Sequence, residues 1–280
     1  MNQGILGVIA YLDTDEVDNL LASIEGGLVE QFIESKKISS TQEGEGKVGL
    51  SSTSIGSKIQ SIREDASEAI RHTTPVSKLT ALRKILIDND YVKQLFDINI
   101  EKRNEFYEGE LVEIYGSTNP SAFGEFVDVA LEFYKLSSQF GELFGSSMNI
   151  DPKTDQIFKY LEHIISKGVP IQILCASEPG SKSSFDFASI LHPDYLKIKK
   201  NSLSGNFKIL GRVKKVLNSN EVVYLYDLIP GISRLSRDQF KTIMNSLTKK
   251  PISGLNITLT ERDFRIKYPT IVISPIAMYS

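Results

Sequence analysis

A cluster of basic residues between positions 197 and 215 is the sequence feature best suited to binding an anion. Its members are Lys199, Lys200, Lys208, Arg212 and Lys214. If residues 207–216 form a strand, its period of two places Lys208, Arg212 and Lys214 on one face. Such a row of cations would contact phosphates or an acidic partner. The alternative is a solvated sheet face, on which lysines prevent pairing with other strands.

Carboxylates cluster near the start of the chain, where Asp13, Asp15 and Glu16 follow a short apolar run. Clustered carboxylates are what a divalent cation or a general acid–base pair requires. Asp13 and Glu16 also have the spacing of a helix capping box, and acidic residues in a first turn favour the helix dipole. The capping interpretation is therefore favoured over a metal site.

Other candidate chemistry fails on spacing. Residues 177–184 contain glycine, lysine and serine, but a serine separates Gly180 from Lys182, so the loop does not match a P-loop. The three histidines lack the i,i+4 spacing of two ligands on one helix face. Cys175 lies in an apolar run, where a free cysteine is typically a small apolar filler. The sequence predicts no catalytic residue, no metal ligand and no cofactor.

Composition narrows the class of protein. The chain has 280 residues, 41% of them hydrophobic, and a net charge of −3, which are typical of a soluble globular protein without a general attraction for nucleic acid. A single cysteine excludes an intramolecular disulfide framework. The first eleven residues lack the basic region of a signal peptide, and their apolar run is too short to span a bilayer. We expect a cytoplasmic protein.

Hydrophobic periodicity and turn signals predict the elements that position these residues. Strands are expected at Ile5–Leu12, Leu111–Tyr115, Val169–Ala176, Phe207–Val216, Glu221–Ile229, Leu255–Leu259, Phe264–Tyr268 and Ile271–Tyr279. Helices are expected at 14–25, near Asp65, after Pro75, around Val92–Phe96, from Asn119-Pro120 onward, at 151–167 and around 236–247.

Three local features refine this assignment. Asn218-Ser219-Asn220 is a turn-forming cluster, so the strands on either side of it are expected to form a hairpin. Gly116 is expected to end the strand that begins at Leu111. Pro275 is expected to place the last strand at a sheet edge or on a bulge, because proline cannot donate to a ladder.

The order of these elements favours an α+β fold with a helical N-terminal and middle region and a strand-rich, mainly antiparallel C-terminal half. Residues 1–150 are expected to form a strand and a mostly helical region, with a flexible insertion at about 35–61. Residues 151–280 are expected to form an α+β region, either as a second domain or as a continuation of the first.

Several short motifs along the chain resemble a bacterial family of unknown function, domain-of-unknown-function family 6414. They are Ala10–Thr14, Asn19–Ala22, Gly27-Leu28, Gly109–Glu113, Phe207–Val213 and Ser274–Tyr279. The resemblance implies a bacterial intracellular protein from the variable gene pool that includes phage-defence and mobile-element functions. It transfers no activity and no catalytic residue.

Two functional hypotheses follow. The first is a non-enzymatic interaction or regulatory protein with a protein partner or self-association, because no catalytic spacing is found. The alternative is a protein that binds nucleic acid, or processes it with a metal, through the basic 197–215 region. No membrane association is expected.

Overall fold

A computed structural model describes residues 7–26, 52–71, 74–95, 100–140, 152–175, 185–224, 228 and 265–280. The strands are β1 (Ile9–Leu12), β2 (Val92–Leu95), β3 (Leu111–Pro120), β4 (Val169–Cys175), β5 (Phe187–Leu191), β6 (Gly205–Val216), β7 (Val222–Tyr224), β8 (Arg265–Lys267) and β9 (Ile271–Tyr279). The α-helices are α1 (Thr14–Glu25), α2 (Ser52–Ile70), α3 (Pro75–Asp88), α4 (Ile100–Arg103), α5 (Ala122–Phe140) and α6 (Pro152–Lys167), and short 3₁₀ helices span Pro193–Tyr195 and Lys200–Ser202. The fold is α+β.

The chain forms two compact units. One consists of Met1–Val8 and Leu12–Lys93, and the other of Ile9–Tyr11 and Gln94–Ser280. The division near residue 150 that the sequence suggested stays a prediction.

The first unit is built on helices α1, α2 and α3. Asp13 caps α1 by accepting a hydrogen bond from the Glu16 N–H at 2.9 Å, and Thr74 caps α3 in the same way through the Ser77 N–H at 3.2 Å. Apolar residues at helical spacing are buried on all three helices: Val17, Leu21, Ile24, Ile62, Ala66, Ala69, Leu79, Leu82, Ile85 and Leu86. The helices at 14–25, near Asp65 and after Pro75 are therefore confirmed.

The second unit is built on five strands whose pairings close a ring. β4 pairs with β3 and β5, and β6 pairs with β3 and β9, all antiparallel. The ring closes where β5 pairs with β9 in parallel. β1 extends the sheet beside β9, and β2 extends it beside β3. Because the ring is closed, each of its five strands has a hydrogen-bonded neighbour on both sides, and none of them is an edge strand.

Apolar side chains from all five strands form one buried cluster. Its strand residues include Val112 and Ile114 of β3, Val169, Ile171 and Ile173 of β4, Phe187 and Leu191 of β5, Phe207, Ile209 and Val213 of β6, and Ile271, Ile273 and Met278 of β9. Phe106 adds edge-to-face contacts with Phe185 and Phe187, with ring centroids 5.8 and 6.0 Å away.

The β6–β9 ladder is irregular at two places. Leu210 faces Ala277 and Gly211 faces Pro275, which leaves Ile276 as an extra residue on β9. Pro275 therefore lies at a bulge and not at a sheet edge. The sequence predicts one of these two positions. A Cβ at Gly211 would lie 2.9 Å from the Ser274 carbonyl oxygen, so only glycine fits the approach of the two backbones.

Two buried polar contacts connect distant parts of this unit. Glu113 of β3 is 5% exposed and accepts a hydrogen bond from the Gln94 side-chain amide at 2.7 Å. It also accepts one from the Tyr279 hydroxyl at the end of β9. A buried carboxylate needs such donors, because an unpaired charge is costly to bury.

Arg103 makes the second contact. It is 4% exposed, and its guanidinium donates to the carbonyls of Leu217 and, at 2.6 Å, Pro269, while lying 4.7 Å from the Tyr268 ring centre. Burial lowers the pKa of this guanidinium below its ordinary value, and the nearby Tyr268 raises it. Arg103 therefore fixes the chain where it leaves β6 and where it approaches β9.

Several predicted elements are wrong. The region around Val92–Phe96 contains strand β2 rather than a helix, and β3 continues past Gly116 to include Asn119 and Pro120, which were assigned to a helix start. Ser121 accepts the hydrogen bond from the Gly124 N–H at the start of α5 instead. The predicted flexible insertion at 35–61 overlaps α2, which begins at Ser52, and its earlier part lies outside the described residues.

The predicted hairpin is also wrong. A turn does form, because the Glu221 N–H donates to the Asn218 carbonyl at 2.9 Å. However, β6 pairs with β3 and β9, and β7 pairs with β8. Strand β5 was not predicted. The predicted helix around 236–247 and the strand at Leu255–Leu259 lie outside the described residues.

Replacing Arg103 should destabilise the second unit. We expect Arg103→Met to lower the free energy of unfolding by about 3 kcal/mol, because two backbone carbonyls lose a charged donor. Urea unfolding measures the difference. Lys102→Met, an exposed neighbour in the same helix, is the matched control. Equal effects of the two substitutions would show that the guanidinium contacts do not stabilise the fold.

A candidate anion-binding pocket

We refer to the closed ring of β3, β4, β5, β9 and β6 as the barrel. A pocket of about 100 Å³ lies against β5 and β9 of this barrel. Its lining consists of Lys167, Ile190, His192, Lys214, Leu228, Val272, Ile273 and Ser274. Two lysines, a histidine and a serine thus converge on an otherwise apolar surface. No acidic residue belongs to this lining in the part of the chain that the structure describes.

Strand pairing brings Lys167 and His192 together. Lys167 ends α6 two residues before Val169, the first residue of β4, and His192 directly follows Leu191, the last residue of β5. Val169 and Leu191 are paired across the antiparallel β4–β5 ladder. The residues that flank this pair therefore leave the sheet side by side.

Lys214 enters the pocket because of a bulge in β6. Val213 faces Ile273 and Lys215 faces Val272 on β9, so Lys214 is the extra residue between two adjacent partners. A bulge changes the direction of the side chain it carries, and bulges are common beside binding sites. Lys214 is exposed. The bulge interrupts the regular ladder that was expected to align it with Lys208 and Arg212.

The two pocket lysines carry charge that no described carboxylate neutralises. Other cations of the basic 197–215 region do have a carboxylate partner: Lys200 lies 3.5 Å from Asp128, and Lys215 forms an ion pair with Glu221. For Lys167 and Lys214 there is no ion pair within the described residues. Both lysines are exposed to solvent, where an incoming anion can reach them.

His192 contributes a polar atom without a hydrogen bond. Its Nδ1 is buried and has no hydrogen-bond partner within the described ranges. Oδ2 of Asp194 lies 3.6 Å from Nδ1, which is too long for a hydrogen bond. The imidazole as a whole is 39% exposed, so a ligand can reach the rest of the ring.

The other residues of the basic cluster lie elsewhere. Lys199 is exposed before a 3₁₀ helix, and Lys208 faces Tyr115 of β3 and Tyr279 of β9. Arg212 is paired with Ser274 across the β6–β9 ladder, which places it beside the pocket, and its Nη1 lies 3.5 Å from the Gly109 carbonyl oxygen. Of the five cations singled out in the sequence, Lys214 is the one that lines the pocket.

Sequence reasoning missed Lys167, His192 and Ser274. The sequence places Lys167 only at the end of the helix expected at 151–167, and His192 is there only one of three histidines without ligand spacing. Helix α6 does end at Lys167, and a 3₁₀ helix follows His192. No spacing in the chain connects these residues, because their proximity depends on the pairing of β5, which the sequence did not predict.

The remaining candidates are accounted for more simply. The Asp13 carboxylate caps α1, and no group of three or more histidine, cysteine, aspartate or glutamate side chains arranged to hold a metal occurs among the described residues. Cys175 is the last residue of β4, opposite Gly116. The loop at 177–184 and the side chain of Cys175 lie outside what the structure describes.

None of the described helices is long and apolar enough to cross a membrane.

The fold and the pocket together define an α+β protein with a closed five-stranded barrel and a cationic surface pocket. The chain belongs to the family described as "Domain of unknown function (DUF6414)", whose model matches residues 9–279. The resemblance seen in the short sequence motifs is thereby confirmed. No curated protein and no solved structure matches the chain.

The partly buried carboxyl group of Asp13 makes the stability of the fold depend on pH. Burial raises its pKa, with smaller contributions in the same direction from the charges of Glu16 and Asp15, while the backbone hydrogen bonds of Glu16 and Asp15 oppose the shift. A raised pKa means that the folded state binds the proton more tightly, so this stabilisation is present at low pH and is lost as pH rises through the folded pKa.

The test compares wild type with Asp13→Asn, which retains a capping oxygen but does not titrate. We expect the difference in unfolding free energy, wild type minus variant, to fall as the pH rises above about 4, the ordinary pKa of an aspartate. Chemical unfolding at several pH values measures it. A difference that grows with pH would mean that attraction of the carboxylate to the helix dipole exceeds the cost of burial.

Proposed function

We propose that this protein is a non-enzymatic binding or regulatory protein whose barrel binds a small anionic ligand in the pocket. The observation that carries the proposal is the convergence of Lys167, Lys214 and His192 on one pocket with no described acidic lining residue. An anion placed there would contact cations and hydrogen-bond donors from three separate elements.

Electrostatics supports this proposal. Two ammonium groups at one pocket repel each other, and neither has a carboxylate partner among the described residues, whereas Lys200 and Lys215 each have one. An anion would supply the missing counter-charge. It would bind the folded state alone, because the unfolded chain does not bring these side chains together, and it would therefore stabilise the fold.

The barrel itself is a suitable scaffold. Around the barrel its five strands lie in the order β3-β4-β5-β9-β6. If these strands are numbered 1 to 5 along the chain, their order around the barrel is 1-2-3-5-4. This is the Greek-key order of the OB barrel, a fold that binds oligonucleotides and oligosaccharides through the face of its second and third strands and the adjoining loops. A shared strand order supports a binding role only by analogy, because function depends on the site.

Nucleic-acid binding by the basic 197–215 region is the second candidate, favoured by the same strand order. It requires Lys199 and Lys208 to contribute to binding, although neither lines the pocket. The metal-dependent form of this hypothesis has no described cluster of ligands to support it. The link to phage defence or a mobile element stays a prediction.

Thermal unfolding in inorganic phosphate tests the proposed anion site. We expect phosphate to raise the melting temperature of the full chain more than that of Lys167→Gln/Lys214→Gln, with an affinity at least about tenfold lower for the double variant. The comparison between proteins removes the general stabilisation that such salts give to any fold.

Lys199→Gln is the matched control, because it removes an exposed lysine of the basic cluster outside the pocket. It should leave the response to phosphate unchanged. An equal response of wild type and the double variant would exclude the pocket as an anion site. Loss of oligothymidylate binding in Lys199→Gln, with no effect of phosphate, would instead favour the nucleic-acid candidate.

A further inference from the structure

We infer that the group bound in this pocket is the terminal phosphomonoester of a small phosphorylated metabolite. The inference rests on the proposed anion site and specifies the chemistry of its ligand. Charge, donor geometry, pocket size and the surrounding ion pairs each contribute to it.

The charge of the pocket matches a dianion. Lys167 and Lys214 supply two positive charges without a described carboxylate partner. A phosphomonoester carries about −1.5 to −2 at neutral pH, whereas a phosphodiester or a carboxylate carries about −1. A monoanion would leave one ammonium group uncompensated beside apolar residues.

The donors suit a tetrahedral group better than a planar one. The ammonium groups act as point charges and reach the pocket from the end of α6 and from the bulge in β6, while His192 and Ser274 add an imidazole and a hydroxyl. No guanidinium belongs to the lining that the structure describes, and the guanidinium fork is the donor whose geometry matches a planar carboxylate. Donors arriving from different elements can each contact a different oxygen of one phosphate.

The size of the pocket limits the ligand to one buried phosphate. A volume of about 100 Å³ is well below the about 300–1,000 Å³ of pockets that enclose drug-sized ligands, so it suits a phosphate group better than a whole nucleotide. The ester substituent must then extend into solvent. A terminal phosphate has one such substituent, whereas an internal phosphate of a nucleic acid has two.

The charges elsewhere on the chain disfavour a polyanionic ligand such as a nucleic acid. Lys200 and Lys215 are already paired with Asp128 and Glu221, so they do not extend the positive surface as free charges. The chain also carries a net charge of −3, which gives no long-range attraction for a nucleic-acid backbone. A small phosphorylated metabolite is therefore preferred over an oligonucleotide.

Isothermal titration of the full chain tests this inference with three small probes: ribose 5-phosphate, dimethyl phosphate and acetate. We expect ribose 5-phosphate to bind at least about tenfold more tightly than the other two, because it alone provides a dianion. Lys214→Gln should remove most of this preference, while Lys199→Gln should retain it. Ser274→Ala, which keeps both positive charges, should weaken ribose 5-phosphate more than acetate.

The outcomes separate the inference from the proposed function. Equal affinities for all three probes, lost together in the lysine variants, would overturn the phosphomonoester inference but leave the anion site in place. Absence of binding by every probe and by inorganic phosphate would overturn both. A 5′-phosphorylated oligothymidylate that binds far more tightly than ribose 5-phosphate would make the ligand a nucleic-acid end and overturn the assignment to a small metabolite.

Discussion

The structure of the second unit depends on β6, the strand that hydrogen-bonds to both β3 and β9. Without it, the remaining pairings would leave an open sheet with β3 and β9 far apart in the strand order. The same strand contributes Phe207, Ile209 and Val213 to the buried cluster. Because β6 must match two neighbours at once, its ladder with β9 contains irregularities. One of these irregularities turns Lys214 toward the pocket, so the candidate site is a consequence of closing the ring.

Buried polar groups complement this closure. Glu113 connects β3 to Gln94 and to the end of β9, and Arg103 holds the two points at which the chain leaves and re-enters the ring beyond β6. Each is satisfied by specific donors or acceptors, which makes a shifted register costly. The pocket residues form the opposite case. Lys167 and Lys214 have no ion pair among the described residues, and the buried Nδ1 atom of His192 has no hydrogen bond there.

Local signals in the sequence were sufficient for elements that are stabilised locally. The cap at Asp13 and the proline at the start of α3 each act within one helical turn, and the corresponding helices were predicted correctly. The pairing of β6 could not be predicted, because the turn at Asn218 forms but does not determine which strand lies beside β6. Likewise, Lys214 was found through local charge, whereas Lys167 and His192 become neighbours only through the β4–β5 ladder.

The parallel pairing of β5 with β9 has a consequence for biogenesis. Phe187 pairs with Ile271, so the contact joins positions far apart in sequence and contributes strongly to contact order. During synthesis, a nascent chain can complete α1, α2 and α3 early, but a ring that needs β9 remains open until residues beyond 271 have left the ribosome. Until then β5 and β6 each retain an unpaired edge, which is the kind of surface that chaperones protect from aggregation.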